Sequence, residues 1–320
     1  MRGLVIRSTG SRYEVQTEQG VMSCTLPGRF RQQVAVATNP VVIGDIVHIE
    51  PGDEEGTGRV MEITPRRNKL SRRAAGRRVG VEHVIMANID VAWIVQSVQK
   101  PKFNGGLVDR FLVMASVYDI PAGIVINKAD LMDEDSADAM DFWAGLYRHL
   151  GYPVVFTRAM LPDGASDLRN ALSQGMHVLV GASGVGKSSL VNALIPGAEQ
   201  RTSHVSERTR KGRHTTTFAE LIRIPGGGWL ADTPGLREFG LVGLEPAELG
   251  HHFPEIAAVL PGCRFPNCTH DHEPGCRVKE SVQEILVGSD VAEARISAER
   301  YESYLSMLAA IRLGDADTGR

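Results

Sequence analysis

The sequence predicts an α/β protein that carries a β-barrel before its main sheet and a helical, metal-binding domain after it. Apolar runs of strand length alternate with helical stretches from about residue 81 to residue 240, as in parallel sheets with crossover helices. Short alternating runs precede this region, and clustered Cys and His residues follow it. We therefore divide the chain into a barrel (1–68), a flexible basic linker (69–80), an α/β domain (81–240) and a metal-binding helical domain (241–320).

Five short runs of alternating apolar and polar residues make up the N-terminal segment, and Gly, Asn and Pro separate them. This pattern predicts a small five-stranded barrel, and an OB-fold is the size that fits. The runs are residues 3–7, 13–17, 21–26, 34–37 and 45–50. Such barrels often bind nucleic acid, but the fold alone does not establish this function.

The α/β domain is predicted from four apolar strands and four helices. The strands are 89–96, 122–126, 153–157 and 176–180, and the helices are 107–118, 136–150, 166–172 and 187–194. Residues 218–224 and 229–232 are expected to pair as a hairpin. Beyond residue 241 we predict two helices, at 278–286 and 291–313.

Composition limits the class of protein. Of the 320 residues, 42% are apolar and 23% are charged, which is typical of an ordinary globular protein. No stretch approaches the roughly 18 apolar residues of a membrane span, and the N-terminus contains no apolar signal region. We therefore expect a cytoplasmic protein with no membrane contact, and we expect a monomer.

Basic residues are concentrated in two runs, although the net charge is only −3. Residues 66–78 contain seven Lys or Arg and no acidic residue, and residues 201–214 contain a second basic run. Because such runs attract polyphosphate backbones, both indicate contact with RNA. The alternative is that each run is only a solvated face of the protein.

A glycine-rich segment between a predicted strand and a predicted helix matches the P-loop pattern in full. Its glycines let backbone N–H groups surround the β-phosphate, and the helix N-terminus favours an anion. We expect Lys187 to reach the β- and γ-phosphates and the Ser188 hydroxyl to bind Mg²⁺. The predicted nucleotide-binding residues of this segment are Gly181, Ala182, Ser183, Gly184, Val185, Gly186, Lys187, Ser188 and Ser189. The alternative is a glycine-rich turn that matches by chance.

The base is predicted to be read by Asn127, Lys128, Ala129 and Asp130, which follow the strand at 122–126. The Asp130 carboxylate can accept hydrogen bonds from N1–H and the exocyclic amine of guanine, whereas adenine offers no such pair of donors. Asn127 is expected to bond the other edge of the base, and the Lys128 stem to pack on its face. Asn-Lys-x-Asp alone is a weak match, but beside a P-loop it indicates GTP.

A third block, at residues 232–235, lies about 50 residues after the start of the P-loop. Asp232 is expected to hold Mg²⁺ through water, and the Gly235 N–H to contact the γ-phosphate. The alternative is an ordinary Asp-Thr-Pro-Gly turn. Thr215 is a further candidate Mg²⁺ ligand, although the residues do not decide between it and the two threonines that follow it.

The order of these blocks is rotated relative to ordinary GTPases, in which the P-loop comes first and Asn-Lys-x-Asp comes last. Here the base-reading block precedes the P-loop by about 50 residues. The same sheet can form from a chain that is cut and rejoined elsewhere, because domain termini usually lie close together. The sequence therefore predicts a circularly permuted P-loop GTPase domain.

These features together resemble the circularly permuted, ribosome small-subunit-dependent GTPase family (RsgA/YjeQ). The resemblance covers nearly the whole chain. It rests on the block order, the barrel-like N-terminus, the Cys/His cluster, Gly-Arg-His-Thr-Thr-Thr at 212–217 and Asp-Thr-Pro-Gly-Leu at 232–236. It implies hydrolysis of GTP to GDP and phosphate, stimulated by the 30S subunit, with a role in late maturation of that subunit and contact with its 16S rRNA.

The same resemblance makes His214 the candidate catalytic residue that orients the attacking water. Leu236 occupies the position where many GTPases place a water-orienting Gln, and leucine has no polar group for that task. Lys187 and Gly235 complete the expected catalytic set. The alternative is that His214 only contacts RNA or solvent. The chain departs from the family at 157–159, where Thr-Arg-Ala replaces a Ser-Ala block that supports guanine.

Three cysteines and a histidine lie within 14 residues: Cys263, Cys268, His270 and Cys276. This donor set suits tetrahedral Zn²⁺, and four protein ligands leave no open position for chemistry. We expect one structural zinc per chain, so the last predicted domain is a helical zinc-binding domain behind the OB-fold barrel and the GTPase domain. His272 is the competing imidazole, but the family pattern aligns with His270. Reduced thiols without a metal are the alternative.

Two other functions fit parts of the sequence. A P-loop ATPase or kinase would share the phosphate site, but residues 127–130 argue against it, and comparing GTP with ATP binding decides between them. An RNA-binding assembly factor with a vestigial nucleotide site would share the basic runs. The intact Lys187, Ser188 and Asp232 argue against that function, and turnover with and without small subunits separates the two.

Overall fold

The computed structural model describes residues 1–9, 12–28, 40–73, 82–197, 220–232, 244–283 and 296–313. One sheet of eleven strands runs through the N-terminal barrel and the central α/β region. A smaller region that contains the clustered cysteines follows this sheet along the chain. Among the described residues, no helix is both long and apolar enough to cross a lipid bilayer.

The N-terminal barrel is built from β1 (Arg2–Ser8), β2 (Arg12–Thr17), β3 (Gly20–Thr25), β4 (Ile46–Pro51) and β5 (Thr57–Ile63). Strand β1 pairs with β2 on one side and with β4 on the other, and β5 joins β3 to β4, so the barrel closes. Alternate residues face the interior, where Val5, Val15, Cys24, Val47 and Val60 are fully buried. The predicted five-stranded OB-fold barrel is confirmed.

Two details of the barrel differ from the sequence prediction. The predicted run at 34–37 lies outside the described residues. Strand β5 is not apparent from the sequence, because only Gly58 and Val60 of its seven residues are buried. So few buried apolar residues produce little of the alternation by which a strand is recognised.

Strands β6 (Lys69–Arg73) and β7 (Glu82–Ala87) form an antiparallel pair beside the barrel. Leu70 is 1% exposed and lies opposite Met86, which is fully buried. Residues 69–73 are therefore a paired strand rather than the start of a flexible linker. Their basic composition conceals the strand, because Leu70 is the one apolar residue in its sequence. Residues 74–80 of the expected linker lie outside the described part of the chain.

The α/β region continues with β8 (Val91–Ser97), α1 (Gly105–Val117), β9 (Ala122–Asn127), α2 (Glu134–His149), β10 (Val154–Phe156), α3 (Ser166–Ala171), β11 (Met176–Val180), α4 (Lys187–Leu194), β12 (Glu220–Arg223) and β13 (Trp229–Asp232). Strands β10, β9, β8, β11 and β13 are parallel neighbours in this order, and β12 pairs antiparallel with β13. The central strands are mostly apolar along their length because apolar clusters cover both faces of the sheet. The predicted strands, helices and hairpin are confirmed, with ends that differ by one or two residues.

Strand β12 also joins the α/β sheet to the barrel. It pairs antiparallel with β1, and Arg7 lies opposite Glu220 in this register. The Arg7 guanidinium lies 3.4 Å from the Glu220 carboxylate and 3.5 Å from that of Glu14 on β2. The barrel is thus attached to the sheet by strand pairing as well as by the covalent chain.

The C-terminal region contains α5 (Pro254–Ala257), α6 (Arg277–Glu280), β14 (Val282–Gln283), β15 (Ile296–Ser297) and α7 (Ala298–Arg312). Within the described residues, the helix predicted at 278–286 ends with α6 and gives way to β14, which pairs with β15, and residues 284–286 lie outside the described part of the chain. The last helix begins at Ala298 rather than at residue 291. The reason is a side-chain cap, since the Ser297 hydroxyl accepts a hydrogen bond from the Arg300 N–H at 3.2 Å.

A buried charged cluster connects this C-terminal region to the α/β region. Arg300 on α7 is 1% exposed, and its guanidinium donates to Asp109 of α1 at 2.6 Å and to Glu255 of α5 at 2.6 and 3.2 Å. Tyr147 of α2 donates to Asp109 at 2.8 Å. Burial alone would lower the pKa of Arg300, but the two carboxylates raise it well above its usual range, so the guanidinium stays charged.

We predict that Arg300→Ala lowers the free energy of unfolding by about 3–5 kcal/mol, because the change leaves two carboxylates buried without their cation. Arg312→Ala on the same helix is the matched control. Arg312 pairs with Asp271 at 2.7 Å, and both side chains are more than a third exposed, so its loss should cost at most about 1 kcal/mol. Urea unfolding followed by circular dichroism measures both changes. Equal losses in the two variants would contradict the importance of the buried cluster.

Candidate functional site

The P-loop runs from the end of β11 to the start of α4, and two close contacts determine its shape. Gly181 has a φ of +143°, and a Cβ built there would lie 2.3 Å from the carbonyl oxygen of Val95. Gly186 has a φ of +99°, and a Cβ there would lie 2.3 Å from Nδ2 of Asn127. Neither position accepts a side chain, so the glycine spacing of the loop follows from how closely its neighbours approach.

Lys187, the first residue of α4, folds back over the loop. Its Nζ donates to the carbonyl oxygens of Gly181 and Ala182, each at 2.7 Å. Ser183, Gly184 and Ser188 are exposed at the same place, and Ser189 is half-buried behind them. An ammonium group, a helix N-terminus and exposed backbone N–H groups therefore converge, which suits a polyphosphate.

Asn127 joins the base-reading block to the P-loop. It ends β9 and is 1% exposed, and its Nδ2 donates to the Val185 carbonyl at 3.0 Å. Its Oδ1 accepts from the Thr157 hydroxyl at 2.9 Å and from the Ala159 N–H at 3.4 Å. The amide predicted to bond the base thus connects three loops of the protein, a role that the motif alone does not reveal.

Lys128 extends the same connection. Its Nζ donates to the Gly184 carbonyl at 2.8 Å and also to the carbonyl of Lys100. Lys100 follows β8, so the loops after β8, β9 and β11 meet at the carboxyl edge of the sheet. The loop after β8 carries no recognisable motif, and only its position after a parallel strand could have indicated that it belongs to the site.

Asp130 lies in the 3₁₀ turn Ala129–Leu131 and is exposed. The Ala129 N–H donates to the Thr157 carbonyl at 3.1 Å, so the loop after β10 supports this turn. The Asp130 carboxylate forms no hydrogen bond with any residue that the structure describes. Both of its oxygens are therefore available to accept hydrogen bonds from a ligand at this edge of the sheet.

Asp232 is the last residue of β13, which pairs in parallel with the P-loop strand β11 so that Val178 lies opposite Ala231. This register brings residue 232 to the edge of the sheet that the P-loop occupies. The other predicted residues of the third block and of the segment before it, His214, Thr215, Gly235 and Leu236, lie outside the described residues, as does the second basic run.

The clustered cysteines and His270 bring four potential metal ligands together. One donor atom from each of Cys263, Cys268, His270 and Cys276 lies within 4.8 Å of every other. His270 Nδ1 lies 3.6 Å from the Cys263 sulfur and 3.5 Å from the Cys276 sulfur. Tetrahedral bonds of about 2.3 Å to sulfur and about 2.0 Å to nitrogen separate such ligands by about 3.5 Å. The residues therefore fit a metal, whereas the His272 side chain is 75% exposed and lies outside the cluster.

Hydrogen bonds hold the loop that carries these ligands. From α7, Tyr301 donates to the His270 carbonyl at 2.6 Å and Tyr304 donates to the Thr269 carbonyl at 2.8 Å. Glu273 accepts from the Thr269 N–H at 2.8 Å and from its hydroxyl at 2.6 Å. Burial opposes ionisation of Glu273, yet these hydrogen bonds and one more from a backbone N–H lower its pKa to about 2. Helix α7 thus supports both the metal-ligand loop and the buried charged cluster.

The fold and the site together define the class of protein. The P-loop follows β11, the Asn-Lys-x-Asp block follows β9, and both lie at one edge of the same parallel sheet although their order along the chain is rotated. A closed barrel precedes these parallel strands along the chain. This is the architecture of a circularly permuted GTPase.

Comparison with known proteins identifies the family. The RsgA GTPase model matches residues 63–242, and the model of the RsgA N-terminal domain matches residues 2–60. The chain is 41% identical over 309 residues to the small ribosomal subunit biogenesis GTPase RsgA of Bacteroides fragilis and 40% identical over 313 residues to that of Porphyromonas gingivalis. Each of these alignments covers 96% of both chains.

Solved structures agree with this assignment. YjeQ from Thermotoga maritima superposes with a TM-score of 0.77 at 32% identity and covers 97% of this chain and 98% of its own. YloQ, described as a circularly permuted GTPase, superposes with a TM-score of 0.76 at 30% identity and covers 98% and 95%. The chain belongs to the RsgA GTPase family, which confirms the resemblance seen in the sequence and makes the protein a GTP hydrolase.

We predict that Thr157→Val lowers the free energy of unfolding by about 1–2 kcal/mol, because the buried Oδ1 of Asn127 loses its hydrogen bond of 2.9 Å and keeps only the longer one of 3.4 Å from the Ala159 N–H. Thr157→Ser keeps a hydroxyl donor and is the matched control, with a loss of less than about 1 kcal/mol expected. Urea unfolding of both variants measures the difference. If the valine variant were as stable as the serine variant, this hydrogen bond would not be what holds the Asn127 amide.

Proposed function

We propose that this chain hydrolyses GTP during late maturation of the small (30S) ribosomal subunit, and that contact with this subunit and its 16S rRNA stimulates the reaction. The observation that carries the proposal is the bonding of Asn127 and Lys128 to the P-loop, which supports one pocket for the guanine base and the triphosphate. The curated relatives at 96% coverage are named for small-subunit biogenesis, which supports the target.

Each motif has a separate role in binding GTP or GDP. Asp130 accepts hydrogen bonds from N1–H and the exocyclic amine of guanine, while adenine would leave this acceptor unpaired. Lys128 packs its stem along the base, and the Ala159 N–H, which donates to Asn127 Oδ1 at 3.4 Å without the nucleotide, supports the base as well. The backbone N–H groups of 181–189 surround the phosphates, and Lys187 exchanges its two carbonyl partners for phosphate oxygens.

The catalytic set adds residues from the third block and from the segment before it. Ser188, Thr215 and Asp232 hold Mg²⁺, which neutralises charge that develops on the phosphates. His214 orients the attacking water, since Leu236 cannot, and it acts when the ribosome orders its segment. The requirement for an ordered segment explains how a subunit could stimulate a slow intrinsic reaction.

The metal of the Cys/His cluster is one structural Zn²⁺ per chain. Three thiolates and one imidazole match the preference of zinc, and four protein ligands leave no site for a substrate. The chain then divides into an OB-fold barrel (1–68), a basic segment (69–80), the GTPase domain (81–240) and a zinc-binding domain (241–320). It acts as a cytoplasmic monomer without membrane contact.

GTP turnover measured side by side with 30S subunits, with 50S subunits and with no subunit tests the proposed function. We expect stimulation by 30S subunits alone. His214→Ala should lower the stimulated rate by about 10²-fold or more, which is the usual contribution of a group that manages a reacting proton or water. His204→Ala, in the same basic run, is the matched control and should keep the stimulated rate.

Three results would contradict parts of this proposal. Equal turnover in all three conditions would remove the ribosomal role. Unchanged stimulation in His214→Ala would remove the catalytic role of that histidine. Stimulation that is lost equally in both histidine variants would point to RNA contact by the basic run rather than to chemistry at residue 214.

We predict that Cys268→Ser abolishes the stoichiometric zinc of the purified protein, because a hydroxyl cannot replace a buried thiolate ligand. Cys24→Ser is the control. Cys24 is fully buried in the barrel, where burial raises its pKa to about 11, and the protein should keep one zinc per chain without this thiol. Atomic emission measures the metal in both variants, and undiminished zinc in Cys268→Ser would contradict the assigned ligand set.

A further inference from the structure

A cleft of about 530 Å³ lies where the barrel meets the α/β sheet. Its walls come from β1, from the end of β2 with the turn that follows, and from the β12–β13 hairpin. The lining residues are Arg2, Gln16, Thr17, Glu18, Arg223 and Trp229. Trp229 pairs with Met176 at the start of β11, whereas the P-loop follows the end of that strand. The cleft therefore opens at the edge of the sheet opposite the nucleotide site.

Two uncompensated guanidinium groups belong to this cleft. Arg2 and Arg223 are both exposed, and neither forms an ion pair with any residue of the described ranges. Arg7, on the same strand as Arg2, differs because Glu14 and Glu220 flank it at 3.5 and 3.4 Å. Glu18 also lines the cleft, so its two arginines and one carboxylate leave a net charge of +1.

One of these guanidinium groups forms a cation–π contact with an aromatic ring. Arg223 and Trp229 lie directly opposite each other in the β12–β13 pair, and the guanidinium carbon lies 5.0 Å from the centroid of the indole ring. This cation–π contact holds the guanidinium over the indole ring, while the Arg223 side chain remains exposed to solvent. When proteins bind RNA, unstacked nucleobases commonly stack on aromatic rings or on arginine guanidinium groups.

We propose that this cleft binds one exposed nucleotide of RNA, with the base on the Arg223–Trp229 stack and a flanking phosphate at Arg2. Phosphate oxygens accept the paired N–H groups of a guanidinium, and the second arginine lies within the same cleft to receive them. An acidic protein segment would satisfy the charge but would make no use of a flat stack. The proposal rests on the proposed ribosomal function and adds to it a contact made by the barrel and the hairpin together.

The test is the binding of fluorescein-labelled oligouridylate to the full-length protein over a range of salt concentrations. The double variant Arg2→Gln with Arg223→Gln should bind about tenfold more weakly, and its slope of log affinity against log salt should fall by about one. Arg12→Gln with Arg59→Gln removes two exposed barrel arginines outside the cleft, and should leave the affinity and the slope close to those of the unmodified protein. Turnover of GTP without subunits should be unchanged in both, which shows that both are folded.

Equal loss of oligouridylate binding in the two double variants would overturn the proposal, because the effect would then be one of net charge alone. An oligoglutamate peptide with the same charge as the RNA tests whether an acidic protein is the ligand instead. If this peptide displaces the labelled oligouridylate as strongly as unlabelled RNA does, the cleft binds acidic protein and the proposal is wrong. The experiments also separate failure of the ribosomal function from failure of this proposal. If 30S subunits do not stimulate GTP turnover but oligouridylate binding still depends on Arg2 and Arg223, the ribosomal function is wrong and RNA binding by the cleft is retained.

Discussion

The nucleotide site depends on one buried amide group, the side chain of Asn127. Its nitrogen bonds the P-loop at Val185, and its oxygen receives a hydrogen bond from Thr157 in the loop after β10. A polar group this deeply buried needs hydrogen-bond partners for both its nitrogen and its oxygen, and here the two partners belong to different loops. The absence of a side chain at Gly186 completes the arrangement, because a Cβ there would occupy the space of the amide nitrogen.

The rotated order of the motifs leaves this geometry unchanged. Parallel strands present their following loops at one edge, so the site is assembled from the spatial order of β10, β9, β8, β11 and β13. The order in which these strands occur along the chain therefore has no effect on which loops meet at the site. On the other side of β13, β12 pairs with β1 at Arg7 and Glu220, which joins this side of the sheet to the barrel.

Much of the fold could be predicted from local patterns, and the exceptions have physical causes. Buried parallel strands such as Met176–Val180, which is apolar except for His177, are easily recognised. Strand Lys69–Arg73 resembles a basic linker, because it has one apolar residue, Leu70, and forms by pairing with the next strand, Glu82–Ala87. The cap at Ser297, which sets the start of the last helix, was likewise hidden within a longer helical pattern.

The site was predictable where its residues contact a ligand and less so where they contact each other. The P-loop and Asn-Lys-x-Asp blocks follow from the chemistry of phosphate and guanine. The use of Asn127 as a connection, and the participation of the Lys100 carbonyl, depend on distances between loops that no single motif records. For the metal cluster, spacing left two imidazoles open, and the burial of His270 against the exposure of His272 separates them.

The buried pair of Arg300 and Asp109 also has a consequence for biosynthesis. The two residues are 191 positions apart, so helix α1 leaves the translating ribosome long before the cation that neutralises its carboxylate. A chain truncated before residue 300 would have to protonate or hydrate Asp109 and Glu255, which would lie buried without their cation. Completion of the polypeptide, and not only of its central sheet, is therefore what allows the nascent protein to close its core.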